Sequence, residues 1–243
     1  MERRHVLKGL AAGAVGLGLS ATTGPVWSTT MAATGPSSRA RSCKIIGIGG
    51  AGCNMVVGLA SSAAPESADL TADCICVDLG RETLPRVDGS TGALLDYSPI
   101  RFLSLAPLGA GGNVNAARVV ALRERDELKS LVAGADLVFL LAGLGGGTGS
   151  AVTPILARLA REAGALTVAT VITPFAFEGQ RQRTACTALS YLRRETDLVL
   201  EFSNETLAAT QDDSMTMDWL FTMIDLDIQG GILEIWNKVS SAL

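Results

Sequence analysis

Seven consecutive residues, Leu144-Gly145-Gly146-Gly147-Thr148-Gly149-Ser150, carry the densest chemical signal in the chain. They follow an apolar run, Ala135 to Ala142, and lead into a helix-like stretch, Ala151 to Ala163. A glycine-rich turn between strand and helix is suited to holding phosphate. Without Cβ atoms the backbone comes close to an anion, successive N–H groups point at it, and the helix N-terminus adds partial positive charge. The Thr148 and Ser150 hydroxyls are expected to add donors. On this reading a bulky residue at Gly149 clashes only with bound phosphate and leaves the fold intact. Three glycines alone suit a flexible loop equally well, so the weight falls on the rest of the chain.

A second turn of the same kind lies earlier, Gly47-Ile48-Gly49-Gly50-Ala51-Gly52-Cys53-Asn54. Gly47, Gly49 and Gly52 spell GxGxxG, and Asp78 ends the next strand, where a dinucleotide-binding protein holds ribose hydroxyls. One reading is therefore a Rossmann-type dinucleotide module or oxidoreductase. That reading gives no reason for a second cradle after a later strand, and no Tyr-Lys pair or substrate domain accompanies it. Two cradles on one sheet edge suit a single nucleotide whose triphosphate is gripped from both sides.

Strands and helices must alternate to hold two such turns together, and from Cys43 onward they do. Lys44 to Ile48 reads as a strand, Gly52 to Ser62 as a helix start and Asp73 to Asp78 as a second strand. A short strand near Ile100 to Leu105 precedes one helix from Asn113 to Val132, a strand from Ala135 to Ala142 and a helix from Ser150 to Ala163. Ala165 to Thr173 reads as strand, Glu178 to Arg194 as helix, Asp197 to Phe202 as strand, and Met215 to about Val239 as a long helix interrupted by Gly230 and Gly231. The alternation predicts an α/β fold, a doubly wound parallel sheet with ligands at the carboxyl ends of its strands.

Composition agrees. The 243 residues are 48% hydrophobic and 18% charged with a net charge of -4, which suits one α/β domain and no nucleic-acid surface. Cys43, Cys53, Cys74, Cys76 and Cys186 show no CxxC or Cys/His ligand spacing, and the sole histidine is His5. Neither a structural zinc site nor a histidine-based triad is expected in the body.

Residues 1–42 form a separate leader and linker. Arg3-Arg4-His5-Val6-Leu7-Lys8 resembles the twin-arginine export motif, and Gly9 to Leu19 reads as its apolar region, too short to span a bilayer. The alternative is a disordered tail ahead of a later start at Met31. Export conflicts with use of GTP, a cytoplasmic nucleotide, so the location is left open between the two.

The body, residues 43–243, resembles the tubulin/FtsZ family through five segments in order. Gly145 to Ser150 resembles its GGGTGS/T signature, departing at Ala151, and Gly47 to Asn54 resembles its first phosphate loop, GxGGGGxN, with Ala51 in place of glycine. Leu108-Gly109-Ala110-Gly111-Gly112-Asn113 is similar to the loop that approaches the terminal phosphate, Pro174-Phe175-Ala176-Phe177-Glu178-Gly179 to PFxFEG, and Ser203-Asn204-Glu205-Thr206-Leu207 to PNDxL. The resemblance implies the family's Rossmann-like GTPase domain, GTP or GDP as ligand, Mg2+ as its companion, and association with its own or other FtsZ-like subunits.

Carried over by residue, it implies that nucleotide contacts fall on Gly49, Gly50, Ala51, Gly52, Asn54, Gly111, Gly112, Gly145, Gly146, Gly147, Thr148 and Gly149. Glu178 takes the place that meets the ribose, although an acidic residue at a helix start is also favoured by the helix dipole. The family's nearby arginine falls on Gln182, between Arg181 and Arg183. Met217 to Asp225 aligns with the start of the central helix, which makes Asp225 the carboxylate that accepts from guanine N1–H and N2–H, unless it is plain helix surface. Asp78 stands where the family usually has Asn, and its charge would repel phosphate unless a metal intervened. The family's loop of pattern NxDxxD, which activates water against a neighbour's GTP, would begin about where the chain runs out. The resemblance thus implies a domain that binds GTP, contains no catalytic residue or metal ligand of its own, and hydrolyses only with a partner's loop. It could then be a truncated paralogue that caps, regulates or co-assembles with a full-length polymer.

Overall fold

The computed structural model describes residues 42–61, 72–80, 100–106, 109, 111–205 and 217–242; the leader-like segment with Arg3-Arg4 and Met31 lies outside the described residues. Six strands run β1 (Cys43–Ile48), β2 (Ala72–Asp78), β3 (Ile100–Ser104), β4 (Leu137–Gly143), β5 (Leu166–Thr173) and β6 (Leu198–Ser203). The helices are α1 (Gly49–Ser61), α2 (Val114–Arg123), α3 (Arg125–Val132), α4 (Gly147–Glu162), α5 (Gly179–Glu195) and α6 (Met217–Ala242). All strands pair in parallel in the order β3-β2-β1-β4-β5-β6, the doubly wound arrangement expected from the alternation.

The strands are apolar on both faces because both faces are covered. On one side Ile46, Ile48, Val138, Leu140 and Ala142 pack against Ala117 and Ala121 of α2, Leu128 and Leu131 of α3, Val152 and Leu156 of α4, and Leu189 and Leu192 of α5. On the other, Ile45, Phe139, Leu141 and Val168 lie with Cys53 and Val56 of α1 and with Ile228, Ile232, Ile235 and Trp236 of α6. A Cβ at Gly231 would lie 3.7 Å from Leu200 Cδ1 of β6, an ordinary contact, so α6 passes over β6 there without requiring a glycine.

Two expectations need correction. The helix expected from Asn113 to Val132 is two, broken at Glu124, whose backbone leaves helical geometry at φ -90° and ψ 24°. Glu124 N–H still bonds Val120 O and its carbonyl still accepts from Leu128, so Glu124 itself keeps both helical partners. Small Ala117 and Ala121 of α2 and larger Leu128, Leu131 and Val132 of α3 are buried on either side of it, and no Gly or Pro marks it in the sequence. The first helix begins at Gly49, ahead of the expected Gly52, because Gly49 turns the chain out of β1 at φ +71°.

Candidate functional site

The reversal of strand order falls between β1 and β4, where Gly47 pairs beside Leu141 and Ile48 beside Ala142. The two glycine-rich turns leave the carboxyl ends of these neighbouring strands, so sheet topology alone sets them side by side. They touch: a Cβ on Gly49 would lie 3.2 Å from the Gly149 nitrogen, and one on Gly143 would lie 2.7 Å from Ala51 Cβ. The N-terminal ends of α1 and α4 therefore open on one space, and their unpaired N–H groups and dipoles make it attractive to an anion.

That space is a cavity of about 310 Å³, and ten of its fifteen lining residues are glycine. Its wall is almost pure backbone, with Asp78 and Arg181 as the charged side chains. An adjoining cavity of about 610 Å³ shares Gly112, Gly146 and Arg181 with it and adds polar side chains from Asn113, Asn115, Gln180 and Thr184. Together they form a cleft with a backbone-lined end and a polar end, of a size that takes a nucleotide-like ligand.

Gly49, Gly50, Ala51, Gly111, Gly112, Gly146, Gly147, Thr148 and Gly149 line the smaller cavity, and Gly145 the larger. Gly145 also needs its conformation, φ +96°, and a Cβ there would press on Arg181 and Pro174. Gly52 is different. It lines neither cavity, and a Cβ would fall 2.2 Å from Leu141 O, so this glycine lets α1 lie on β4. Asn54, exposed on α1, also lines neither.

Gly149 requires the same correction. Its missing Cβ would point at Gly143 O, 2.3 Å away, into the sheet and away from any ligand. A bulky residue there strikes β4 itself, contrary to the expectation of a clash confined to the cradle. Ser150 is not placed to donate toward an anion as expected: it is buried and lines neither cavity, and its Oγ accepts the Gly145 N–H at 2.8 Å, which fixes the turn from within.

On the far side of the cleft, Glu178 precedes α5 and is already engaged. One carboxylate oxygen accepts the Phe175 N–H at 3.0 Å and the other accepts from Arg181 at 2.5 Å. Glu205 Oε2 accepts the Ala176 N–H at 3.0 Å and ties the turn after β6 to the turn after β5. Gln182 lines neither cavity, and its amide oxygen is buried without a partner. The cationic side chain at the cleft is its neighbour Arg181, which lines both cavities. The helical step from Glu178 to Arg181, three residues on one face, is the sequence signal that favours Arg181. Asp225 lies on α6, with its side chain outside the described residues.

Two of the buried thiols are held protonated. Burial pushes the Cys43 thiol up to about 12, and hydrogen bonding with Cys76 together with burial raises Cys53 further, so both stay protonated at neutral pH. Among the described residues no group of three or more His, Cys, Asp or Glu is placed to hold a metal, and no helix is long and apolar enough to cross a membrane.

A model of the tubulin/FtsZ family, GTPase domain, matches residues 42–212, the stretch that contains both turns and the cleft they build. The chain belongs to this family. It is 30% identical to the cell division protein FtsZ of Neisseria meningitidis over 79% of its length, and 32% identical to that of Pseudomonas aeruginosa over 78%. The chain spans about half of these curated relatives, 47% and 46% of their lengths. An empty FtsZ dimer from M. jannaschii superposes with TM-score 0.63 at 27% identity, covering 79% of this chain and 53% of that one. CetZ2 from Haloferax volcanii, a GTPgS-bound protofilament, gives 0.64 at 24% identity over 81% and 59%, a likeness of fold. The resemblance drawn from five ordered segments is thus borne out, and with it the α/β parallel-sheet fold.

Proposed function

We propose that the chain binds a guanine nucleotide, GTP or GDP, in the cleft at the β1–β4 junction. The observation that carries this reading is the contact between the two glycine turns, which lets one phosphate chain meet backbone N–H groups from α1 and α4 at once. Gly49, Gly50, Gly146, Gly147 and Thr148 hold the phosphates, Gly111 and Gly112 close over the terminal one, and Arg181 supplies the cation. Glu178, freed from Arg181 when that side chain turns to phosphate, receives the ribose. Asp225 reads guanine, which adenine cannot match because it lacks N1–H and N2–H donors.

The strand order and the position of Asp78 also suit a dinucleotide, and they favour that reading as the second one. Against it, Asp78 Oδ1 is held by the Leu79 N–H at 2.7 Å, and the β4 turn occupies the side of the cradle that a dinucleotide domain has no need to build. Family membership supports the guanine reading.

The chain further resembles proteins that assemble; CetZ2 and a bacteriophage TubZ are described as protofilaments. Self-association, or association with a fuller FtsZ-like subunit, is the partner reading that follows, and a regulatory or co-assembling paralogue is the role it suits.

Titration of the full chain with GTP, GDP, ATP and NAD in the presence of Mg2+ tests the ligand. Both guanine nucleotides should bind at least about tenfold more tightly than ATP, a difference of about 1.4 kcal/mol, and Asp225→Ala should erase the preference. Equal affinity for ATP removes the guanine assignment, and tighter binding of NAD favours the dinucleotide reading.

A further inference from the structure

We infer that Cys53 and Cys76 are a reversible disulfide site, open to a two-electron oxidant such as hydrogen peroxide, whose closure draws α1 off the β4 turn and weakens nucleotide binding. The thiol pairing stands on the structure alone, and only its effect on binding rests on the nucleotide reading. Four of the chain's five cysteines lie on one face of the sheet: Cys43, Cys53 and Cys76 are buried in the cluster that α1 and α6 cover, and Cys74 packs against it. Cys76 stands beside Gly47 in the register of β2 and β1. A Cβ on Gly47 would fall 2.3 Å from Gly52 O, so α1 lies low on the sheet at that level and brings Cys53 down to Cys76. Cys76 Sγ donates to Cys53 O at 3.8 Å, Cys53 Sγ donates to Val77 O at 3.9 Å, and the two thiols hydrogen-bond to each other.

The competing explanation is that both thiols are small packing groups in an apolar cluster. Two that touch between a helix and a strand can also bond. With peroxide the reaction balances: two S–H bonds and the O–O bond break, one S–S and two O–H bonds form, each sulfur gives up one electron, and two waters leave. A dithiol reductant reverses it by exchange. Shortening a hydrogen-bonded contact to an S–S bond of about 2 Å moves α1 toward β2. The strand order sets β2 and β4 on opposite sides of β1, and α1 packs on all three. Motion toward β2 therefore separates Gly49 from Gly149 and Ala51 from Gly143, the contacts that join the two phosphate turns. A ligand that bonds both turns opposes this motion, so by linkage bound nucleotide holds the pair reduced. The hydrogen bond to Cys76 and burial raise the Cys53 thiol, so the pair reacts more slowly than the exposed Cys186.

The experiment incubates the full chain with millimolar hydrogen peroxide for about a day, longer than the seconds to hours that disulfide formation takes, with and without GTP and Mg2+. Cleavage after Glu66 in alkylated, unreduced samples separates Cys53 from Cys76, and mass spectrometry reads the linkage. Wild type and Cys74→Ala should both show a Cys53–Cys76 bond that dithiothreitol removes. Saturating GTP should slow its formation about tenfold or more. Oxidised wild type should bind GTP at least about tenfold more weakly than reduced wild type, and peroxide should leave the affinity of Cys76→Ala unchanged. Full oxidation of Cys186 without a Cys53–Cys76 bond overturns the site. A bond that leaves GTP affinity unchanged overturns its effect on the cleft, as does an equal loss in Cys76→Ala. Should Cys76→Ala not fold, recovery of wild-type affinity on treatment with dithiothreitol carries the same test, and no recovery overturns the effect. Failure of reduced wild type to bind GTP overturns the nucleotide reading and the coupling with it, while the bond is read independently.

Discussion

Replacing Gly146 by leucine should abolish nucleotide binding and leave the protein folded, whereas the same change at Gly149 should unfold it. Both glycines line the cavity, yet a Cβ on Gly146 meets nothing within 4 Å while one on Gly149 falls 2.3 Å from Gly143 O. Gly146 precedes α4 at φ -89° and ψ 178°, extended geometry that any residue adopts, so leucine strains no backbone there. Its side chain would instead fill the space shared by the two cavities. The expected loss of GTP affinity is about 100-fold or more, with the melting temperature moved by less than about 3 °C. Gly149→Leu must push α4 off β4, a strand buried at six of its seven residues, and should cost at least about 4 kcal/mol in urea unfolding. A folded, non-binding Gly149→Leu protein would mean that the backbone at the β4 turn is free to move.

The second large effect concerns hydrolysis. Cradling phosphate leaves most of the barrier in place, because an attacking water must be positioned and polarised opposite the leaving group. Glu178 accepts from Phe175 and Arg181 and is assigned to the ribose, and Asp78 Oδ1 accepts the Leu79 N–H; neither carboxylate is assigned to the attacking water. The 243-residue chain alone should therefore turn over GTP slowly, and addition of a full-length FtsZ-like subunit that can dock on the cleft should raise the rate by about 1,000-fold or more, in line with other residues supplied in trans to phosphoryl transfer. The rise should depend on concentration and vanish when the added subunit's loop carboxylates are replaced, as read by phosphate release. Brisk turnover by the isolated chain, independent of concentration, would assign water activation to a residue of its own, Asp78 or Asp227.

Much of this was legible beforehand because it follows from period and from glycine. Apolar runs such as Leu137 to Ala142 are buried on both faces and can belong only to an interior strand, so the alternation fixed the sheet, and the turns after β1 and β4 then had to meet. What a glycine is for was not legible. Gly50 and Gly146 face the cleft, while Gly52 and Gly149 face backbone at 2.2 and 2.3 Å, and no one-dimensional pattern separates a glycine that admits a ligand from one that admits a helix. The break at Glu124 escaped for a related reason: neither Gly nor Pro marks it, and Glu124 keeps a helical partner on each side while its own backbone leaves helical geometry. Ser150 and Glu178 carry groups that could serve a ligand, yet three-dimensional contacts with Gly145, Phe175 and Arg181 already occupy them.

The most direct test of a single phosphate site shared by both turns is hydrogen–deuterium exchange of the full chain with and without GTP. Amides of residues 49–52 and 145–149 should gain protection together and at the same nucleotide concentration, because one ligand bonds both sets. Protection confined to the β1 turn and the end of β2, with residues 145–149 exchanging as in the free protein, would contradict the shared site and leave the β4 turn a structural element of a dinucleotide fold.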